Sequence, residues 1–147
     1  MEFSVLKALL FANAVWFGMA FHAFYIRREI FGKVMVPIAS DRENTAYQAF
    51  VESGRFMGGF NFALSAFNVL LLFNVGDFST NAQWATLLLF MVLAHGSQFV
   101  GNIPMALQNR QGGGLWNVFK GVMLRIFVID CTLMILNGAL ALWLLVG

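Results

Sequence analysis

Charged residues are scarce in this sequence, at 11% of 147 positions. A soluble domain carries about one quarter charged residues, so this share excludes an ordinary water-soluble protein. There is one cysteine, Cys131, which excludes an internal disulfide bond and a Cys-x-x-Cys redox motif. The net charge of +2 and the lack of a basic run exclude a nucleic-acid partner. What is present instead is 60% hydrophobic residues, the composition of an integral membrane protein.

Four apolar segments are long enough to cross a bilayer. A helical span needs about 20 mostly apolar residues, and spans are predicted to be helical because short alternating strands are missing. The predicted spans are residues 3–26, 56–75, 84–107 and 118–146. We therefore predict an all-α fold, with residues 1–147 forming a single integral membrane domain. Its four transmembrane helices are expected to form a bundle of up-down topology in a lipid bilayer.

Lysine and arginine are concentrated in two connections, the first and the third. These connections and their edges hold eight basic residues: Arg27, Arg28, Lys33, Arg42, Arg55, Arg110, Lys120 and Arg125. The opposite side holds Lys7 alone. Because cytoplasmic loops carry the excess of basic residues, both connections are predicted to be cytoplasmic and both termini to lie on the non-cytoplasmic side.

Every predicted helix carries polar or small residues on one face, at the three- and four-residue spacing of a helix. The polar residues of interest are His22, Asn61, His95, Gln98, Asn102 and Asp130. Counted from the nearest basic residue at about 1.5 Å per residue, His22, Asn61, Asn102 and Asp130 lie about 7, 9, 12 and 15 Å deep, and His95 lies near the middle. The pattern predicts that the polar faces meet inside the bundle, around a pocket in its cytoplasmic half.

Asp130 is the most informative of these residues. A carboxylate near the bilayer centre costs at least about 2.5–3.5 kcal/mol on insertion scales, so it needs a partner or a function. Its candidate partners are His95, His22 and Arg125. Phe and Met walls around such polar groups suit a lipophilic ligand or cofactor, such as a lipid, sterol or quinone. We predict binding of such a molecule, in an enzyme or in a carrier or binding subunit.

In this hypothesis the polar residues divide into two roles. His95 and Asp130 are the candidate catalytic residues for proton transfer, and the ligand-binding residues are His22, Asn61, Gln98 and Asn102. Two alternatives stay open. The two histidines could hold a haem, or a hard metal could bind carboxylates and imidazoles from the set His22, Glu29, Glu52, His95 and Asp130.

A purely structural interpretation, in which these residues hold the helices together, explains most of them without a ligand. Amide, hydroxyl and imidazole side chains hydrogen-bond across membrane helices at about 0.6–2 kcal/mol each, and small residues allow close approach. The protein would then be a structural subunit of a larger membrane complex, as a homo-oligomer or beside partner membrane subunits. This interpretation explains Asn61 readily, but it explains His95 and Asp130 less well.

The first half of the chain carries a loose resemblance to a known family. His22 precedes Glu29 and Phe31, and Phe60-Asn61 follows later as an aromatic-Asn pair. This arrangement resembles small bacterial four-helix membrane proteins of unknown function. The resemblance implies a four-helix fold in a bacterial inner membrane and implies no activity. The stripe of His95, Gln98 and Asn102 lies outside it.

Overall fold

The structure, a computed structural model, describes residues 3–146, and those residues contain helices and no strand. The α-helices in this part of the chain are α1 Phe3–Phe21, α2 Arg28–Met35, α3 Thr45–Phe73, α4 Asn81–Arg110 and α5 Gly121–Val146. A π-helical turn, His22–Ile26, continues α1, and a 3-10 helix, Ala39–Arg42, precedes α3. The predicted all-α fold is confirmed for these residues.

Within residues 3–146, four segments are long and apolar enough to cross a membrane: Ser4–Ile26, Thr45–Phe73, Asn81–Arg110 and Gly121–Val146. Their number agrees with the predicted spans, as expected of a multi-pass membrane protein. Their ends differ from the predicted ends, chiefly in α3, which begins at Thr45 instead of residue 56. Residues 45–55, which precede the predicted span, belong to the same helix, and Asn44 caps its start by accepting a hydrogen bond from the Tyr47 N–H at 2.8 Å.

The ends of α4 and α5 also have local causes. A capping box formed by Thr80 and Gln83 starts α4 at Asn81, three residues before the predicted span. Gly121 takes a φ of +57°, a left-handed conformation that favours glycine. The α5 helix therefore starts at Gly121, and residues 118–120, predicted to belong to the fourth span, precede it.

Contacts between Cα atoms divide the chain into two compact units. One consists of residues 11–70, and the other contains residues 3–10 and 71–146. The predicted single domain and up-down bundle concern the arrangement of all four spans, and they stay predictions.

Residues 11–70 pack through small and polar side chains. The Ser65 hydroxyl on α3 donates a hydrogen bond to the Ala14 carbonyl oxygen of α1 at 2.8 Å. Gly58 lies against the π-helical turn, where an added Cβ would come 2.6 Å from the Cβ of Tyr25. A side chain at residue 58 would therefore clash, so this glycine permits the close approach of α3 to the turn.

Residues 71–146 are dominated by the pairing of α4 with α5. The buried face of α4 repeats at helical spacing through Trp84, Leu88, Met91 and His95. The buried face of α5 repeats in the same way through Asp130, Leu133, Asn137, Ala141 and Leu144. Within otherwise apolar buried stripes, α4 therefore carries one polar residue, His95, and α5 carries two, Asp130 and Asn137.

Candidate functional site

His95 and Asp130 contact each other directly across α4 and α5. The Nδ1 atom of His95 lies 2.9 Å from Oδ1 of Asp130, and their side chains are 0% and 3% exposed. This distance is that of a hydrogen bond between the imidazole and the carboxyl group. Of the candidate partners of Asp130, the structure thus shows a contact with His95. A buried carboxylate that was unpaired would cost several kcal/mol, and the imidazole removes much of that cost.

The surroundings of this pair are small and apolar. Met91, one turn before His95, is fully buried. An added Cβ at Gly96 would lie 3.3 Å from Sδ of Met134, and one at Gly138 would lie 3.6 Å from Cγ2 of Val92. Gly96 and Gly138 therefore face side chains of the opposite helix, and the contact at Gly96 is the closer of the two. Low-polarity surroundings of this kind strengthen the hydrogen bond between His95 and Asp130.

Asn102 lies one turn beyond Gln98 on α4 and contacts the loop that follows the helix. Its Nδ2 donates to the Gln98 carbonyl oxygen at 3.0 Å, and its Oδ1 accepts from Nε1 of Trp116 at 3.3 Å. Both groups of the amide are thus used within the protein. The geometry gives Asn102 a structural role between α4 and the loop.

Asn109 organises the same loop and was not among the predicted site residues. Its Nδ2 donates to the carbonyl oxygens of Gly113 and Trp116, each at 2.9 Å, and its Oδ1 accepts from the Val118 N–H at 2.8 Å. The signal in the sequence is an asparagine in the last turn of a helix, just before three glycines. Side-chain amides commonly satisfy backbone groups where a helix gives way to a loop.

The side chain of Gln98 is exposed on α4, unlike those of His95 and Asn102. Ser97 and Gly101 are exposed beside it, and no atom lies within 4 Å of the position that a Cβ on Gly101 would take. The predicted stripe of His95, Gln98 and Asn102 is therefore divided: His95 is buried, Asn102 is half-buried, and Gln98 faces outward.

The other two predicted ligand-binding residues belong to residues 11–70. The Nδ2 of Asn61 donates to the Met57 carbonyl oxygen of its own helix at 2.8 Å. His22 is exposed and is the first residue of the π-helical turn, whose bond from the Arg27 N–H to the His22 carbonyl oxygen measures 2.8 Å. Turns of this kind are rare and are frequent at functional sites.

Charged side chains form a second cluster, between α2 and α3. Glu52 accepts from Nε of Arg28 at 2.8 Å and from Nε of Arg55 at 2.7 Å. An open groove of about 400 Å³ lies beside these ion pairs. Its lining residues are Glu29, Lys33, Tyr47, Gln48, Val51 and Glu52.

The metal candidates are not brought together as one ligand set. Among residues 3–146, no group of three or more His, Cys, Asp and Glu side chains is arranged to hold a metal ion. Glu29 and Glu52 line the groove, while His95 and Asp130 pair with each other.

Comparison with protein-family models, with curated proteins and with solved structures found no match. The resemblance of the first half to small bacterial membrane proteins therefore stays a prediction. Evidence on function comes from the geometry of the described residues.

Proposed function

We propose that this protein is a structural subunit of a membrane assembly. Buried polar contacts stabilise the subunit, and α4 contacts its partner. The observation that carries the proposal is the exposed side chain of Gln98. Gln98 lies twelve residues before Arg110, so about 18 Å of helix separates it from that end of the candidate span. Half of a bilayer's hydrocarbon core is about 15 Å, which puts this amide near the membrane centre.

An amide that faces lipid loses the hydrogen bonds that water would provide, at a cost of several kcal/mol. A partner helix that supplies both a donor and an acceptor removes this cost. A second copy of the chain can do so, since two Gln98 amides are complementary to each other. Exposed Gly101, one turn away, allows a partner backbone to approach closely.

The geometry of His95 and Asp130 supports the same proposal. Their side chains are buried and in direct contact at 2.9 Å, which joins α4 to α5. The pair therefore suits the fastening of α4 to α5. Asn102 and Asn61 support it too, because their amides bond to backbone or to Trp116 within the chain.

The size of the particle in solution tests the proposal. The wild-type protein, purified in polymer-bounded membrane discs, is expected as a homo-oligomer or as a complex of fixed stoichiometry. Gln98→Leu should release single chains, whereas Gln108→Leu, an exposed position near the end of the same helix, should not. Native mass spectrometry distinguishes these outcomes. Unchanged particle mass for Gln98→Leu would reject the proposal.

We further propose that the four spans form an up-down bundle in a bacterial inner membrane, with both termini outside the cytoplasm. The eight-to-one distribution of basic residues supports this orientation. Cysteines placed at Arg42 and Gly113, in a Cys131→Ala background, should react only from the cytoplasmic side, and one at Asp77 only from the other. The reverse labelling pattern would overturn the orientation.

A second candidate function is the binding of a lipophilic ligand or cofactor, haem included, with proton transfer at His95 and Asp130. The observation that favours it is the exposed His22 at the start of a π-helical turn. Absorbance, metal content and extracted lipids of the purified protein test this candidate. A colourless, metal-free and ligand-free preparation that tolerates His22→Leu would exclude it.

A further inference from the structure

The open groove between α2 and α3 is lined by charged, polar and apolar side chains. Its volume of about 400 Å³ falls within the range of ligand pockets. All of its lining residues belong to residues 11–70, so the site is complete within one compact unit. It is separate from His95 and Asp130 and does not depend on the proposed subunit role.

The groove carries one anion and one cation that no neighbour neutralises. Glu29 and Lys33 are four residues apart on α2, in the order that favours an ion pair. Among residues 3–146, however, neither side chain forms an ion pair or a hydrogen bond. Glu52, in contrast, is held by two arginines. The two free charges are about 6 Å apart along the helix axis.

The wall supplied by α3 adds two polar groups and an apolar floor. In the described part of the chain, the Tyr47 hydroxyl and the side-chain amide of Gln48 have no hydrogen-bond partner. Val51 is buried. Gly32 brings α2 onto this wall, since an added Cβ would lie 2.5 Å from Cγ2 of Val51 and 2.8 Å from Oη of Tyr47. A glycine is therefore needed for the two helices to form this floor.

The length of α3 gives the depth of the groove. Its 29 residues extend about 43 Å, whereas the hydrocarbon core is about 30 Å thick. About nine residues therefore project beyond the core, and the end with Glu52 and Arg55 is the polar one. Tyr47, Gln48 and Val51 thus lie at the level of the lipid headgroups.

We propose that this groove binds a phosphoethanolamine group, with the phosphate at Lys33 and the primary ammonium at Glu29. A zwitterion with its charges on a short link matches one free cation and one free anion one helical turn apart. Tyr47 can donate a hydrogen bond to the phosphate, and the Gln48 carbonyl can accept one from the ammonium. The group can come from a phosphatidylethanolamine headgroup or from soluble phosphoethanolamine, and the depth of the groove favours the lipid.

Lipid retention tests the proposal with the full-length protein. The protein is reconstituted in vesicles of equal parts phosphatidylethanolamine, phosphatidylglycerol and phosphatidylcholine, then extracted, and its retained lipids are measured by native mass spectrometry. Wild type should retain phosphatidylethanolamine about tenfold over phosphatidylcholine, the ratio expected for one charge-assisted hydrogen bond that choline cannot donate. Glu29→Gln should lose this preference, and Lys33→Gln should reduce retention of all three lipids.

Glu43→Gln and Lys120→Gln are matched controls, because each removes one exposed charge outside the groove. A second arm titrates soluble phosphoethanolamine into detergent-solubilised protein by calorimetry. Heat of binding that Lys33→Gln abolishes would identify a soluble ligand, whereas retained lipid without such heat identifies the headgroup. Equal retention by wild type of the ethanolamine and choline lipids, or groove variants that behave like the controls, would overturn the proposal.

If a charge variant does not fold, a photocrosslinking residue in place of Gln48 tests the same proposal. Because it leaves Glu29 and Lys33 intact, it should capture phosphatidylethanolamine under illumination, and the same residue at Glu43 should not. Equal capture at both positions would also overturn the proposal.

Discussion

Replacing Asp130 alone should destabilise the protein more than replacing Asp130 and His95 together. The two side chains are 3% and 0% exposed, and their hydrogen bond measures 2.9 Å. Asp130→Leu therefore leaves a buried imidazole N–H with no acceptor in that direction. His95→Leu removes the imidazole that contacts the buried carboxyl group. The double leucine variant leaves neither group behind.

The expected costs follow from these contacts. Breaking one member of a buried ionisable pair costs about 3–5 kcal/mol, whereas replacing both members with apolar groups is often neutral or stabilising. Neutral hydrogen bonds between membrane helices average about 0.6 kcal/mol, so a carboxylate contact should exceed that value. Asp130→Asn keeps an acceptor for the imidazole, and its cost should be near 1 kcal/mol.

Unfolding by SDS in mixed micelles gives the four free energies of the double-mutant cycle. Trp84, which is fully buried in the same compact unit, serves as the fluorescence reporter. Thr132→Val, on the exposed side of α5, is the control, because its hydroxyl bonds only to the Val128 carbonyl oxygen of its own helix. A double variant that costs as much as the sum of the single variants would refute the pairing. So would an Asp130→Leu protein as stable as wild type.

Three further substitutions test packing and loop contacts through the same unfolding measurement. Asn109→Ala removes three hydrogen bonds to the following loop, and should cost about 2–3 kcal/mol; Asn117→Ala, in the same loop, should cost less. Gly58→Ala adds a Cβ about 2.6 Å from that of Tyr25 and should cost about 1–3 kcal/mol, whereas Gly59→Ala, with open space, should not. Ser65→Ala loses its bond to α1 and should cost about 1 kcal/mol. Costs no larger than those of the controls, or no cost for Ser65→Ala, would contradict these contacts.

The number and type of the long helices could be predicted because each apolar run exceeds what a helical span requires. Their ends depended on details that hydropathy does not report. The polar start of α3 is helical because Asn44 caps it, and a window of apolar residues cannot detect that helix. The start of α5 depends on the positive φ of Gly121, which is one glycine among several in that loop.

The candidate site could be predicted only in part, because helical spacing gives a face and not what covers it. His95 and Asp130 were expected to be important, and the structure brings their side chains together. Gln98 shares the spacing of His95 and Asn102, but a three-residue step moves a side chain 60° around the helix from the original direction. That rotation is large enough to separate a buried imidazole from an exposed amide.

The acidic side chains differ in how completely the protein satisfies them, and this difference bears on where a ligand can bind. Asp130 is buried against His95, out of reach of a ligand at the surface, and two arginines neutralise the charge of Glu52. Among residues 3–146, Glu29 has no such partner, and neither does the side chain of Lys33, one turn away on α2. Binding energy at the groove is therefore not reduced by the loss of an internal ion pair. For that reason the groove between α2 and α3 is the better place to look for a charged ligand than the pair of His95 and Asp130.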